Sequence, residues 1–361
     1  MTPSTPPLNP FVAAGMLTDT RLFVGRKDEL RTIISKMSAA QPTSVNVVGE
    51  RRIGKSSLLH HFFQTWEQLV ANPSNYVVIY LSLQDVSSQE DFYLAVAQKL
   101  LNRPVVKTQA VLTNALQVRP LNRQTFSLAI AEFKKQRLLP VLCLDDFRTL
   151  FKYPQEFNDG FYDKLRSLMD QNQLMLVIAS RKELSFYSRR DKLTSSFFNL
   201  GHTLRLGEFT KDEVKDLFDL SANTIAGAQV SLSVDEQHLM QKLGGNHPFL
   251  LQLAGSLVWE ARQQKKDKNW IEKSFATESR RRLPRPKMGS RRWWGRLRWL
   301  FWDLPIRLGR LPKFIGGSLD DLSNWVLGMV ILIVPILAVF GLVTQSNLWE
   351  WLLKLVNKVL G

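Results

Sequence analysis

Residues 44–59, SVNVVGERRIGKSSLL, restrict what this chain can fold into more than any other stretch. Within them Gly49-Glu50-Arg51-Arg52-Ile53-Gly54-Lys55-Ser56 fills every required position of the G-x-x-x-x-G-K-[ST] phosphate loop. The spacing reflects what a bound phosphate needs. Glycines let backbone N–H groups turn toward the anion, and the following helix presents its positive end. Lys55 then reaches the β- and γ-phosphates, and Ser56 ligates Mg²⁺. Both flanks agree. Val45, Val47 and Val48 predict a short strand before the loop. Ser57 to Trp66 predicts the helix after it, with Leu58, Leu59, Phe62 and Phe63 on one face.

The 361 residues leave room for one large domain with an appendage, or for two domains. The single cysteine, Cys143, lies in the apolar run Val141-Leu142-Cys143-Leu144. That excludes a disulfide framework and reads as a buried structural thiol in a reducing compartment. The amino terminus, MTPSTPPLNPFVAAG, shows neither the basic nor the apolar region of a signal peptide. Of the net charge of +16, +11 falls between Arg280 and Lys313, where twelve Lys or Arg stand against one acid, Asp303. The basicity therefore belongs to one stretch, and the globular part is close to ordinary.

Four prolines in residues 1–10 predict an extended lead-in. A glycine-containing loop from Phe11 runs into an amphipathic helix that ends near Met37. After the phosphate loop, strands are expected at Tyr76–Leu83, Pro140–Leu144 and Leu174–Ala179, with a shorter one at His202–Leu206. Helices are expected at 89–101, 124–137 and 156–171, with an irregular excursion over 102–121. Strands alternating with helices predict an α/β fold, a parallel sheet covered by helices on both faces. From Thr210 only helices follow: Thr210 and Glu213 form a capping box, Ser233 opens a second helix and Pro248 starts a third, which together predict a small helical lid.

Beyond Arg280 lies RRRLPRPK and then a tryptophan- and arginine-rich stretch from Ser290 to Trp302, patterned for a membrane interface. Trp325–Val343 is nineteen uncharged, almost wholly apolar residues, about 28 Å long as a helix, which predicts a single transmembrane helix. Basic residues crowd its amino-terminal side, while only Lys354 and Lys358 follow it, so the amino-terminal bulk is expected in the cytoplasm, on the inner face of the cell membrane. Leu348–Leu360 is too short to span again and carries an apolar stripe.

Two further strand ends carry chemistry. Val141–Leu144 ends in Asp145-Asp146, the Walker B arrangement, in which Asp145 holds Mg²⁺ through water and Asp146 orients the attacking water. Asp146 is shorter than the glutamate of vigorous ATPases, which predicts slow turnover. Leu174–Ala179 ends in Ser180-Arg181, where a guanidinium can meet the γ-phosphate. No guanine-reading Asn/Thr-Lys-x-Asp motif occurs in a usable place, so ATP is preferred to GTP. His60 and His61 read as packing or surface residues, and Arg189-Arg190 as a solvated loop that could otherwise act on a neighbouring subunit.

Phe23-Val24-Gly25-Arg26-Lys27-Asp28-Glu29-Leu30 resembles the FVGRxxEL lead-in of STAND and archaeal-type AAA-like P-loop ATPases. Gly244-Gly245-Asn246-His247-Pro248-Phe249-Leu250-Leu251 is similar to their GGHPxLLQ lid motif, and Ser180-Arg181 to their sensor 1. The resemblance covers about residues 11–262. It implies that Phe23, Gly25 and Arg26 line the base pocket, joined by Gly49 to Ser57 at the phosphates, and that His247 and Pro248 close the site from the lid. The division that follows is a lead-in and adenine-side loop (1–22), an ATPase core (23–208), a lid (209–279), a basic juxtamembrane linker (280–322), a transmembrane helix (323–345) and an amphipathic tail (346–361).

Relatives of this kind are implied to be nucleotide-dependent switches, closed with ADP and assembling with ATP. The leading expectation is a membrane-anchored ATPase with Mg²⁺ as cofactor that forms a nucleotide-dependent homo-oligomer, meets anionic lipid headgroups and relays a signal to a protein partner that the sequence does not identify. The alternatives are a DNA-handling ATPase of the initiator or transposition-helper type and a nucleotide-bound tether. Adjacency of the basic stretch to the span favours lipid over nucleic acid.

Overall fold

In the computed structural model, which describes residues 9–199, 201–223 and 231–283, the chain alternates strands and helices as far as Arg205 and is helical thereafter. In order the elements are α1 (Lys27–Met37), β1 (Val45–Val48), α2 (Lys55–Thr65), β2 (Tyr76–Ser82), α3 (Gln89–Leu101), α4 (Pro104–Lys107), α5 (Ala110–Gln117) and α6 (Arg123–Lys135). They continue with β3 (Leu139–Asp145), α7 (Asp159–Asp170), β4 (Met175–Ser180), α8 (Leu184–Asp191), β5 (His202–Arg205), α9 (Lys211–Asn223), α10 (Val234–Gly244), α11 (Pro248–Gln264) and α12 (Lys268–Arg282). The five strands form one sheet in the order β2-β3-β4-β1-β5, and every pairing is parallel.

The two-residue period of the strands sorts their apolar residues onto two faces. Ile79, Leu142, Leu144, Leu176 and Ile178 join a core with α3, α5, α6 and α7. Val45, Val47, Val78, Val141, Cys143 and Val177 join a second core with Ile33 and Met37 of α1 and Leu58 and Phe62 of α2. Burial pushes the Cys143 thiol well above its ordinary range, as befits a packing residue. Pro140 precedes Val141, where β3 begins to pair with β4, so its missing N–H falls ahead of that ladder.

The four helices α9–α12 form a third core around Leu217, Met240, Leu251 and Ala254. Two of the expected caps are in place. Glu213 N–H donates to Thr210 Oγ1 (3.3 Å) and Thr210 N–H to Glu213 Oε2 (2.8 Å). Ser233 and Glu236 close a second capping box, and Glu236 also pairs with Arg262. Phe11 belongs to the same core, packed so closely on Gly255 that a Cβ there would lie 2.5 Å from its ring.

Several expectations need correcting. Residues 102–121 are not irregular: α4 and α5 lie there, because Val106, Leu112, Leu116 and Leu121 are all buried in the first core. The helix expected from Glu156 starts at Asp159, where the Asn158 side chain caps it. Arg189-Arg190 is the last turn of α8 and not a loop; Arg190 Nε donates to Asp191 Oδ1 (2.6 Å) and its guanidinium lies over the ring of Tyr187. Helix α12 carries the chain through Arg282, past the expected start of the basic linker. Among the described residues no helix is long and apolar enough to cross a membrane. The span expected at 323–345, the linker beyond Leu283 and the tail at 346–361 lie outside the described residues.

Candidate functional site

Parallel strands carry their carboxyl ends to one edge of the sheet, and connections from that edge build clefts. Here the ends of β1, β2 and β3 open into a cavity of about 530 Å³, within the range of small-molecule sites. Its polar lining is supplied by Arg51, Arg52, Gly54, Lys55, Ser56, Ser57, Tyr80, Ser82, Gln84, Asp145 and Asp146. Its apolar lining comes from Val12, Met16, Leu17, Phe23, Val24, Ile53, Phe209, Pro248 and Phe249.

The phosphate loop is wound as its sequence requires. Gly54 sits at φ +102°, a conformation that favours glycine, and open space surrounds the place of a Cβ. Gly49 is fixed differently: a Cβ there would lie 2.8 Å from Ile53 Cγ2 and 3.1 Å from Leu206 O. The Lys55 ammonium turns back over the loop and donates to Gly49 O (2.9 Å) and Glu50 O (2.7 Å). Burial pushes its pKa down to about 8, with Asp145 opposing the fall and Arg181 adding to it. Phosphate would favour the charged amine, so above about pH 8 each nucleotide bound should take up a proton, and affinity should weaken as pH rises. Calorimetry in buffers of different ionisation heat should show this uptake at about pH 9 and none at about pH 7.

At the β3 tip, Asp145 is buried and its carboxylate is oriented by two donors, Tyr80 Oη–H to Oδ2 (2.9 Å) and the Asp146 N–H to Oδ1 (2.9 Å). Tyr80 is held protonated by burial first and by Asp145 second. Asp146 adopts φ +53° and its Oδ2 accepts from Gln84 Nε2 (2.6 Å). Ser56 and Asp145 line the same cavity, hard-oxygen groups of the kind Mg²⁺ takes together with phosphates and water. Among the described residues no three His, Cys, Asp or Glu side chains gather as a metal cluster.

The lead-in residues act partly as clamps. Arg26 lines the cavity, but its guanidinium donates to Gly207 O (2.6 Å), Ile53 O (3.3 Å) and Glu29 Oε1 (3.0 Å), and it lies over Phe209. It thereby joins the lead-in, the phosphate loop and the strand-to-lid connection. Gly25 does not reach the cavity. It sits at φ +69° with Glu213 of α9 against it, and Glu213 Oε1 accepts the Arg26 N–H (2.5 Å). Gly25→Ala is expected to destabilise the fold by roughly 1–3 kcal/mol and lower its melting temperature by several degrees, since backbone and space both refuse a Cβ.

Glu50, Gly49, Arg181 and His247 also stand off the cavity wall. Glu50 and Gly49 serve through their carbonyls, and Arg181 is exposed at the end of β4. His247 is the N-cap of α11, its pKa lowered by burial, while the next residue, Pro248, reaches the cavity. Ser180 is buried, with Oγ 2.6 Å from Lys182 O and 2.9 Å from Asn46 Oδ1.

Sequence reasoning missed the amino-terminal strap. Val12 N–H donates to Gln252 Oε1 (2.9 Å), Arg282 Nη1–H to Ala13 O (2.5 Å) and Leu17 N–H to Ser57 Oγ (3.1 Å), so residues 12–17 run from the lid to the phosphate-loop helix. It also missed Tyr80, Ser82 and Gln84, whose alternation at the end of β2 was the available signal, and Phe209, Phe249 and Gln252.

Residues 12–279 match the family described as AAA-like domain. No curated protein matches the chain. Among solved structures, it is similar to the Walker-type ATPase PABY2304 of Pyrococcus abyssi, at 14% identity and a TM-score of 0.57, over 96% of this chain and 92% of that one. It is also similar to the ORC2 protein of Aeropyrum pernix. The ADPNP–ADP complexes give 13% identity, a TM-score of 0.51, and coverage of 70% of this chain and 67% of that one. The ADP form gives 13% and 0.51, over 91% and 84%.

Proposed function

This chain belongs to the AAA-like domain family, and we propose that it is a membrane-anchored ATPase that binds Mg·ATP, hydrolyses it slowly and acts as a STAND-like nucleotide-dependent switch. The observation that carries the nucleotide part is a single cavity whose lining combines Lys55, Ser56, Asp145 and Asp146 with the aromatic residues Phe23, Phe209 and Phe249. In this reading the base lies among the aromatic residues. Loop N–H groups and Lys55 hold the β- and γ-phosphates, and Ser56 and Asp145 hold Mg²⁺, which neutralises charge on the transferring phosphoryl group. Asp146 orients water, and Arg181 approaches the γ-phosphate from the β4 side. A short carboxylate already engaged by Gln84 supports slow turnover.

The switch part is supported by three ties between lid and nucleotide site: Arg26–Glu213, Val12–Gln252 and Ala13–Arg282. A lid that shifts with the bound nucleotide would move α12, whose last turn, Arg280–Arg282, leads into the basic stretch. The membrane part rests on the sequence of residues 280–343, with the ATPase unit on the cytoplasmic side. Phosphate release by the full-length protein tests the enzyme. Flotation with anionic vesicles, set against retention on duplex DNA, tests the anchor. Magnesium-dependent release with flotation is expected. Binding to DNA without flotation would overturn the membrane reading in favour of a DNA-handling ATPase.

A further inference from the structure

The two histidines that follow the phosphate loop stand next to each other on α2, about 100° apart around the helix axis, so they flank its buried face on different sides. Each lies against an aromatic residue that lines the cavity. His61 is stacked on Phe23, ring centroids 4.0 Å apart and planes 10° from parallel. His60 meets Tyr80 edge-on, 5.4 Å between centroids and 84° between planes, and Tyr80 in turn donates to Asp145. Phe23 and Tyr80 both line the cavity, one as an apolar ring and the other through a hydroxyl bonded to Asp145.

We infer that His61 and His60 are positioning residues for two parts of the nucleotide site, His61 fixing the Phe23 ring for a purine base and His60 fixing Tyr80, and through it the Asp145 carboxylate, for the metal. The inference rests on the nucleotide reading above and goes beyond it, since neither histidine touches the cavity. Four observations support it. The Phe23 ring has one face covered by the imidazole, so its tilt is set by His61. Among the described residues neither buried Nδ1 has a hydrogen-bond partner, so the ring contacts to Phe23 and Tyr80 are the aromatic ones given above. Burial lowers the pKa of both, which keeps the rings uncharged at neutral pH. Adjacent positions on one rigid helix also tie both supports to Lys55, which opens that helix.

The test separates the two parts by ligand. ADP engages base and phosphates, whereas inorganic tripolyphosphate engages the phosphate part alone. In the full-length protein, His61→Ala should weaken ADP about fivefold and leave tripolyphosphate within about twofold, the size expected of one lost aromatic pair. His61→Phe should restore ADP binding by supplying a flat ring. His60→Ala should leave magnesium-free ADP binding unchanged and raise the Mg²⁺ concentration needed for tight binding about fivefold, with His60→Phe again restoring it. Equal losses for both ligands, or no rescue by phenylalanine, would overturn the inference and leave the nucleotide reading standing. A wild-type protein that binds neither ligand would defeat both.

Discussion

Lys55→Ala is expected to abolish nucleotide binding while leaving the fold intact. In the free protein the ammonium is held inside the loop by the carbonyls of Gly49 and Glu50, and burial has already made its charge costly. A triphosphate offers stronger acceptors at the same place, so the interaction given up on substitution is a charge-assisted one, and affinity should fall about 100-fold or more. Stability should not fall with it, because alanine removes a desolvated charge along with two hydrogen bonds to neutral carbonyls. Calorimetric titration with ATP and a thermal melt of the same preparation check both halves. An unaltered affinity would refute the site.

Asp145→Asn should separate binding from turnover. The amide keeps an oxygen for the Asp146 N–H and can donate to Tyr80 Oη, so the β3 tip should keep its shape. What it loses is the negative charge that, in the proposed site, holds Mg²⁺ through water. Hydrolysis should slow about 100- to 1,000-fold, in line with losing one preorganised electrostatic contact to a phosphoryl transition state. Magnesium-free ADP binding should remain. Phosphate release and an Mg²⁺ titration of ADP affinity provide the measurements, and undiminished magnesium-dependent release in the variant would exclude Asp145 as the ligand.

The parts of this site that were legible in the sequence are those whose spacing is fixed by local geometry. Gly49 to Ser56 must follow one another for a loop to wrap a phosphate, and Val141–Asp146 must be a strand with a polar tip; both appear where they were expected. The period-2 sorting of Val77–Leu81, Val141–Leu144 and Met175–Ala179 onto two cores likewise follows from the strands themselves. What could not be read depends on distant partners. Leu17 reaches Ser57, Val12 reaches Gln252 and Ala13 reaches Arg282, and in each pair at least one partner is a backbone group that carries no residue signature. Gly25 was legible as part of a motif but not in its role, because Glu213, the residue it admits, lies 188 positions away on α9. Helices α4 and α5 are too short for a periodic pattern and are held by burial of Val106, Leu112 and Leu116.

The most direct test of the proposed switch is the mass of the detergent-solubilised full-length protein, measured with ADP and again with a non-hydrolysable ATP analogue. A monomer with ADP that becomes a defined oligomer with the analogue is the expected result, with Lys55→Ala remaining a monomer throughout. A mass that does not change between the two nucleotides, in protein shown to bind both, would contradict nucleotide-driven assembly.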